Sequence, residues 1–135
     1  MNANPSSAYR TVDALTSDPI VLTTMLFEGA VKAMRKARLR HEEQNRRGYL
    51  DEIARAQMIV GELWSTLDLD QGELPRTLSG IYGYCIHALT DATLGNVARL
   101  DEAERLIFQI GLSWRTATVN LQPNTPTSRL QGAAV

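Results

Sequence analysis

Glycine and proline divide this chain in a way that fits four helices. Gly48, Gly72 and Gly95 separate four long segments in which apolar residues recur at spacings of three and four, the period of an amphipathic helix. The prolines stand at segment starts or in the two ends of the chain. No run alternates apolar and polar residues as a half-buried strand does. Because short joints favour antiparallel neighbours, the sequence predicts an all-α, antiparallel up-down four-helix bundle.

The predicted organisation is a short N-terminal arm over residues 1–17, the bundle over residues 18–119 and a disordered C-terminal tail over residues 120–135. Helix one is expected over 19–43, with Ser17 or Asp18 as its cap and Pro19 in its first turn. The other three helices are expected over 49–68, 75–94 and 98–119. The last has the most regular pattern, a heptad seam of Leu100, Ala103, Ile107, Ile110, Trp114, Ala117 and Leu121.

Helix one is apolar over more of its circumference than one core requires. With Leu26 at the centre of a helical wheel, the apolar arc spans roughly 240°, against ~100° for a surface helix. Met25 lies on one flank, and the other flank consists of Ile20, Phe27, Val31 and Met34. Another part of the chain, a second copy or a partner must cover this second flank. Tyr9, Val12 and Leu15 in the arm are spaced to share a helical turn and to cover it; the alternative is an arm that contacts nothing.

Composition and motifs argue against catalysis. The chain has 14 basic and 15 acidic residues, one cysteine and two histidines, and neither histidine stands in a Glu-x-x-His pair. Cys85 falls on the apolar stripe of helix three with Leu78 and Tyr82, which predicts a buried, inert thiol. Glycine-rich phosphate loops are absent. The sequence therefore predicts a binding protein and no enzyme, with no cofactor and no metal.

The sequence also bears on localisation and on nucleic-acid binding. No signal peptide and no apolar run of the ~20 residues needed for a membrane span are present, which predicts a cytoplasmic protein without membrane contact. Seven basic residues lie between Lys32 and Arg47, and a nucleic-acid patch is one interpretation of them. No aromatic residues interleave with them, so a solvated helix face is the favoured interpretation, and no nucleic-acid partner is expected.

The order and spacing of several residues resemble the FliS family of flagellin-specific export chaperones. The resemblance runs from about residue 8 to 117. Its most specific part is Met25-Leu26-Phe27-Glu28-Gly29-Ala30, and it is also carried by Ala8-Tyr9, Ile81-Tyr82-Gly83-Tyr84 and Trp114. The chain departs from the family pattern at Ile81, where leucine is usual, and at Thr93, where asparagine is usual.

This resemblance implies a helical bundle that binds the disordered C-terminal segment of flagellin, blocks premature polymerisation and aids delivery to the export gate. It also implies that Tyr9 matters for flagellin binding, that the arm competes with flagellin for one surface, and that the flagellar anti-sigma factor is a looser partner. The residues expected to contact a partner are Tyr9, Val12, Leu15, Ile20, Met25, Phe27, Val31, Met34, Leu78 and Tyr82. A chaperone or adaptor for a different secreted protein is the alternative, and a homodimer is compatible with either.

Overall fold

Four α-helices account for most of the part of the chain that the structure, a computed structural model, describes, residues 18–121. They are α1 (Pro19–Glu42), α2 (Arg46–Ser65), α3 (Glu73–Thr93) and α4 (Val97–Thr118), with short 3₁₀ turns at Leu69–Gln71 and Val119–Leu121. Within this range there is no strand. Both α1 and α3 pack against α2 and α4, so α3 lies diagonally across the bundle from α1. The predicted all-α four-helix bundle is confirmed.

Local sequence explains where the helices begin and turn. The Asp18 carboxylate accepts the amide hydrogen of Ile20 at 2.9 Å and caps α1 ahead of Pro19. Gly72 and Gly95 have φ angles of 111° and 108°, which few other residues adopt without strain, so these two joints lie where the sequence predicts them.

The first joint, at residues 43–45, overlaps the predicted gap at 44–48, but Gly48 is not part of it. Gln44 takes the left-handed conformation there, with φ 59°. Asn45 caps α2 by accepting the Gly48 amide hydrogen at 2.9 Å, so α2 begins at Arg46 and not at residue 49. A Cβ at position 48 would lie 2.7 Å from the Asn45 Nδ2 atom, so glycine provides room for the cap and not for a turn.

The core lies along the bundle axis and draws on all four helices. Its largest fully buried side chains include Met34, Tyr49, Ile53, Leu63, Leu89, Leu100 and Ile107. The Tyr49 hydroxyl donates a hydrogen bond of 2.6 Å to the backbone oxygen of Ala92 and so joins α2 to the end of α3. Trp64 on α2 is 38% exposed. Its ring lies over Gly83, where an added Cβ would come within 3.1 Å of it.

Helix α1 is rotated relative to the sequence prediction. Leu26, taken as the centre of its inner face, is half-buried, whereas Met34 is fully buried and Phe27 and Val31 are nearly so. On a helical wheel the buried residues centre roughly 60° from Leu26, toward the flank predicted to be spare. α4 packs against that side of α1. Another part of the same chain therefore covers much of this flank, and a partner is not needed to cover it.

Candidate partner-binding groove

An open groove runs between α1 and α4 on the outside of the bundle. Its floor is apolar and consists of Phe27 and Val31 from α1 and Ile107 and Gly111 from α4. Phe27 is 5% exposed and lies directly on the Gly111 backbone, where an added Cβ would come within 3.3 Å of the Phe27 Cβ. Glycine at position 111 therefore gives Phe27 room to pack against α4, and the groove between the two helices has a volume of about 420 Å³.

Three large apolar side chains on the groove walls remain in solvent. Phe108 is 41% exposed, Leu112 is 48% exposed, and Leu39, near the end of α1, is 48% exposed. Phe108 and Leu112 are four residues apart on α4, so they stand on the same helix face. The groove therefore offers an apolar surface that no residue in the described range covers, of the kind that holds the apolar face of an amphipathic helix.

Trp114 helps to hold the two helices together within the groove. Its indole Nε1 donates a hydrogen bond of 2.9 Å to the Thr24 hydroxyl, which in turn donates to the backbone oxygen of Ile20 at 2.9 Å. The indole ring centroid lies 6.2 Å from that of Phe27, at a tilt of 40°. These contacts fix α1 against α4 and shape the groove before any partner binds.

A second hollow of about 430 Å³ extends the groove toward the ends of the described chain. It is lined by Val21, Met25 and Val119, and it shares Thr24, Glu28 and Arg115 with the groove. Because Val21 lies near the start of the described residues and Val119 near their end, both ends of the described range lie close to this hollow.

The rim of the groove is mainly basic. Lys32, Arg35, Lys36 and Arg115 line it, against one carboxylate, Glu28, which forms an ion pair with Arg115. Arg35 donates from Nε to Glu104 at 2.9 Å. The Arg35 guanidinium carbon also lies 5.4 Å from the ring centroid of Phe108, a cation–π contact that holds the arginine beside the groove wall.

The structure brings some of the predicted contact residues together and separates others. Phe27 and Val31 form the groove floor, and Met25, 47% exposed, lines the adjoining hollow. Met34 is fully buried in the core and is not at the surface where the sequence placed it, because α4 covers that side of α1. Ile20 is half-buried near the start of α1.

Two other predicted residues lie on α3, across the bundle from α1. Leu78 is half-buried and packs against the core, and Tyr82 is 2% exposed. Neither lines the groove. Tyr9, Val12 and Leu15 lie outside the described residues, so their expected contacts stay predictions.

Sequence reasoning missed the residues that make the groove most open, Phe108, Leu112 and Leu39. The heptad seam drew attention to the inward positions of helix four, and these two α4 residues lie outside it. Phe108 and Leu112 are four residues apart and lie outside the seam. This spacing could have identified them, because a helix face that contacts only solvent does not need two large apolar side chains one turn apart.

Neighbouring groups engage most of the arginines in the basic run between Lys32 and Arg47. Arg38 donates from Nε to Asp101 at 2.8 Å and also forms an ion pair with Glu104. Arg40 pairs with Glu43 at 3.0 Å, and Arg46 donates to the backbone oxygen of Thr93. Since neighbouring carboxylates or backbone oxygens engage most of these guanidinium groups, the run acts mainly to join helices, which argues against the nucleic-acid interpretation.

No group of three or more histidine, cysteine, aspartate or glutamate residues within 18–121 could hold a metal ion. His41 and His87 are both exposed. The ring centroids of His41 and Tyr49 lie 5.3 Å apart. Burial raises the pKa of the Tyr82 hydroxyl to about 12, so this phenol stays protonated at neutral pH. None of the helices in this range is long and apolar enough to cross a membrane.

We expect the Cys85 thiol to be protected from thiol reagents. The side chain is fully buried, and burial raises its pKa to about 11, so the reactive thiolate is scarce below that pH. At about pH 8 the folded protein should react with a disulfide reagent roughly 100-fold more slowly than the unfolded chain, from the pKa difference alone. The colour released by the reagent measures both rates. Equal rates in native buffer and in denaturant would show that the thiol is accessible.

Taken with the fold, this groove is typical of a helical bundle that holds a segment of another protein. Comparison with known proteins gives the family. The sequence model for "Flagellar protein FliS" matches residues 2–121. The "Flagellar secretion chaperone FliS" of Bacillus subtilis (strain 168) is 30% identical over 115 residues, covering 84% of this chain and 86% of that protein.

Two further relatives carry the same name. The protein of Salmonella typhimurium is 33% identical over 104 residues, covering 75% of this chain and 77% of its own length. The protein of Escherichia coli (strain K12) is 30% identical over 102 residues, covering 73% and 75%. The chain therefore belongs to the FliS family of flagellar secretion chaperones, a family of chaperones and not of enzymes.

Proposed function

We propose that this protein is a cytoplasmic export chaperone that binds the disordered C-terminal segment of flagellin in the groove between α1 and α4. Holding that segment keeps it from packing against other flagellin subunits, which prevents premature polymerisation. The bound complex then delivers flagellin to the flagellar export apparatus. The observation that carries this proposal is the apolar groove with Phe108, Leu112 and Leu39 exposed on its walls.

The physical basis is coupled folding and binding. A segment that is disordered alone loses conformational entropy when it orders, and the burial of its apolar side chains must offset that cost. The groove and the adjoining hollow form a continuous surface along α1 and α4, long enough for several helical turns. Because the groove is already shaped by the Trp114–Thr24 bond, ordering falls mainly on the partner.

Calorimetry with a synthetic peptide of flagellin's C-terminal segment tests the proposal. We expect micromolar or tighter binding with a negative heat-capacity change, because apolar surface leaves water. A peptide of the same composition in scrambled order is the control, since it keeps charge and hydrophobicity but loses the apolar stripe. Absence of binding by the native peptide, or equal binding by both, would overturn flagellin as the partner.

A chaperone or adaptor for a different secreted protein remains the alternative, because an apolar groove of this shape accepts any segment with a suitable stripe. It predicts that the flagellin peptide fails in the same assay. The arm (residues 1–17) is part of the proposal as a competitor for the groove. The anti-sigma factor, the export gate and a second copy of the chain are further proposed partners, and Leu78 and Tyr82 stay predicted contacts on the opposite side of the bundle.

A further inference from the structure

Lys32 and Lys36 are the only lysines in the 135 residues, and both line the groove. Every other basic side chain, apart from two histidines, is arginine. Arginine binds neighbouring carboxylates with a planar, rigid fork, whereas lysine places a compact, strongly hydrated charge on a flexible stem. Both lysines are exposed, so their stems can lie along the apolar wall while the ammonium groups remain at the rim.

Within the described range, the rim lysines have fewer free carboxylates beside them than the rim arginines. Glu28 lies one turn before Lys32 on α1, but its carboxylate pairs with Arg115. Arg35 and Arg115, the other cations of the rim, pair with Glu104 and Glu28. Within residues 18–121 neither lysine forms an ion pair. Residues four apart on a helix are neighbours, so two like charges there repel one another slightly. A partner that supplied two negative charges at this edge would remove the repulsion and gain two ion pairs.

The opposite edge of the groove is different. Arg35 lies over Phe108, and Glu28 pairs with Arg115, which places the 32–36 turn of α1 across from Phe108 and Leu112 on α4. The two edges therefore differ in charge. Lys32 and Lys36 lie on the α1 edge, which also carries Leu39. The α4 edge presents Phe108 and Leu112, and the cation that it contributes to the groove lining, Arg115, is paired with Glu28. A helical segment lying between the two edges needs acidic residues along one side of its apolar stripe only, and this asymmetry would fix its orientation.

We propose that the groove selects an amphipathic helical segment whose apolar stripe is flanked by two acidic side chains one turn apart, which Lys32 and Lys36 bind. The inference rests on the groove being the binding site under the proposed function, and it adds the chemistry of the segment. A nucleic acid fits less well, because the floor of Phe27, Val31 and Ile107 is apolar and, among residues 18–121, only two rim cations lack an ion pair.

Two designed peptides of about 20 residues test this on the full-length protein. Both carry leucines spaced three and four apart, and they differ only in having a glutamate pair or a glutamine pair at positions i and i+4 beside the stripe. By fluorescence anisotropy we expect the glutamate peptide to bind roughly three- to tenfold more tightly at low salt, from two exposed ion pairs. The advantage should shrink as salt rises.

Matched variants separate local charge from net charge. The double variant Lys32→Gln and Lys36→Gln should bind both peptides equally. Arg47→Gln with Arg105→Gln removes the same charge at two exposed sites that do not line the groove, and should keep the glutamate advantage. Chemistry offers a second comparison: reductive methylation of the lysines retains their charge and should keep the advantage, whereas acetylation removes the charge and should abolish it.

Several results would overturn the inference. The first two are failure of both peptides to bind and equal binding of the two peptides to the unmodified protein. The third is tighter binding of the glutamate peptide that persists in the double lysine variant. The fourth is displacement of the glutamate peptide by an equal concentration of oligouridylate. The flagellin proposal fails separately: a glutamate preference that depends on the lysines, together with no binding of the flagellin peptide, leaves the inference standing and removes flagellin as the partner.

Discussion

The double variant Phe108→Gln with Leu112→Gln is expected to weaken binding of a flagellin C-terminal peptide by roughly 100-fold, or about 3 kcal/mol. Both side chains stand exposed on the groove wall, and a bound segment would bury them. Replacing them with a neutral polar residue removes the apolar contact and places an amide where it lacks a hydrogen-bonding partner. Glutamine also keeps helix propensity and adds no charge, so the net charge of the rim is unaltered.

The matched control is Met58→Gln with Leu74→Gln. These residues are 65% and 69% exposed on α2 and α3 and do not line the groove. Both double variants should stay folded, with unfolding free energies within about 1 kcal/mol of the parent, because exposed positions tolerate substitution. Calorimetric titration gives the affinities. A control variant that loses affinity as much as the groove variant does would place the binding surface on another face.

The second large effect is on stability, at Met34. The substitution Met34→Asp should destabilise the bundle by about 4 kcal/mol or more, because a carboxylate would replace a fully buried side chain in a core without a partner for it. Urea unfolding followed by circular dichroism measures the loss, provided that the transition is two-state.

Met58→Asp is the control, with the same change of residue at a site that is 65% exposed, and should cost less than about 1 kcal/mol. If Met34→Asp were as stable as Met58→Asp, then α4 would not cover this side of α1 in solution. The sequence-based view of Met34 as a partner contact would then regain support.

The fold could be predicted because its signals are local. Apolar spacing, the Asp18 cap and glycines with positive φ at positions 72 and 95 each act within a few residues. The seam of helix four shows where local signals stop. Leu100, Ala103 and Ile107 are buried, but Thr118 faces inward in place of Ala117, and Leu121 is 64% exposed. A straight helix drifts by ~20° per heptad relative to a seven-residue repeat, so a strict seam leaves the core after a few turns.

The groove could be predicted only in part, because it belongs to two helices that are far apart in sequence. An excess of apolar surface on helix one was readable, and Phe27 and Val31 do lie in the groove. Which part of that surface stays open depends on the rotation of α1 and on Gly111, a residue that acts by leaving space for Phe27. Charged substitutions at Phe27 or Val31 would therefore test folding, and Phe108 and Leu112 are the positions that test binding.

Site-specific photocrosslinking tests the central claim most directly. A photoreactive phenylalanine analogue is placed at position 112 in one sample and at position 58 in another, and each protein is irradiated with full-length flagellin. We expect a crosslink from position 112 that mass spectrometry maps to the C-terminal segment of flagellin, and little or none from position 58. Crosslinking of that segment from position 58 but not from position 112 would contradict this expectation.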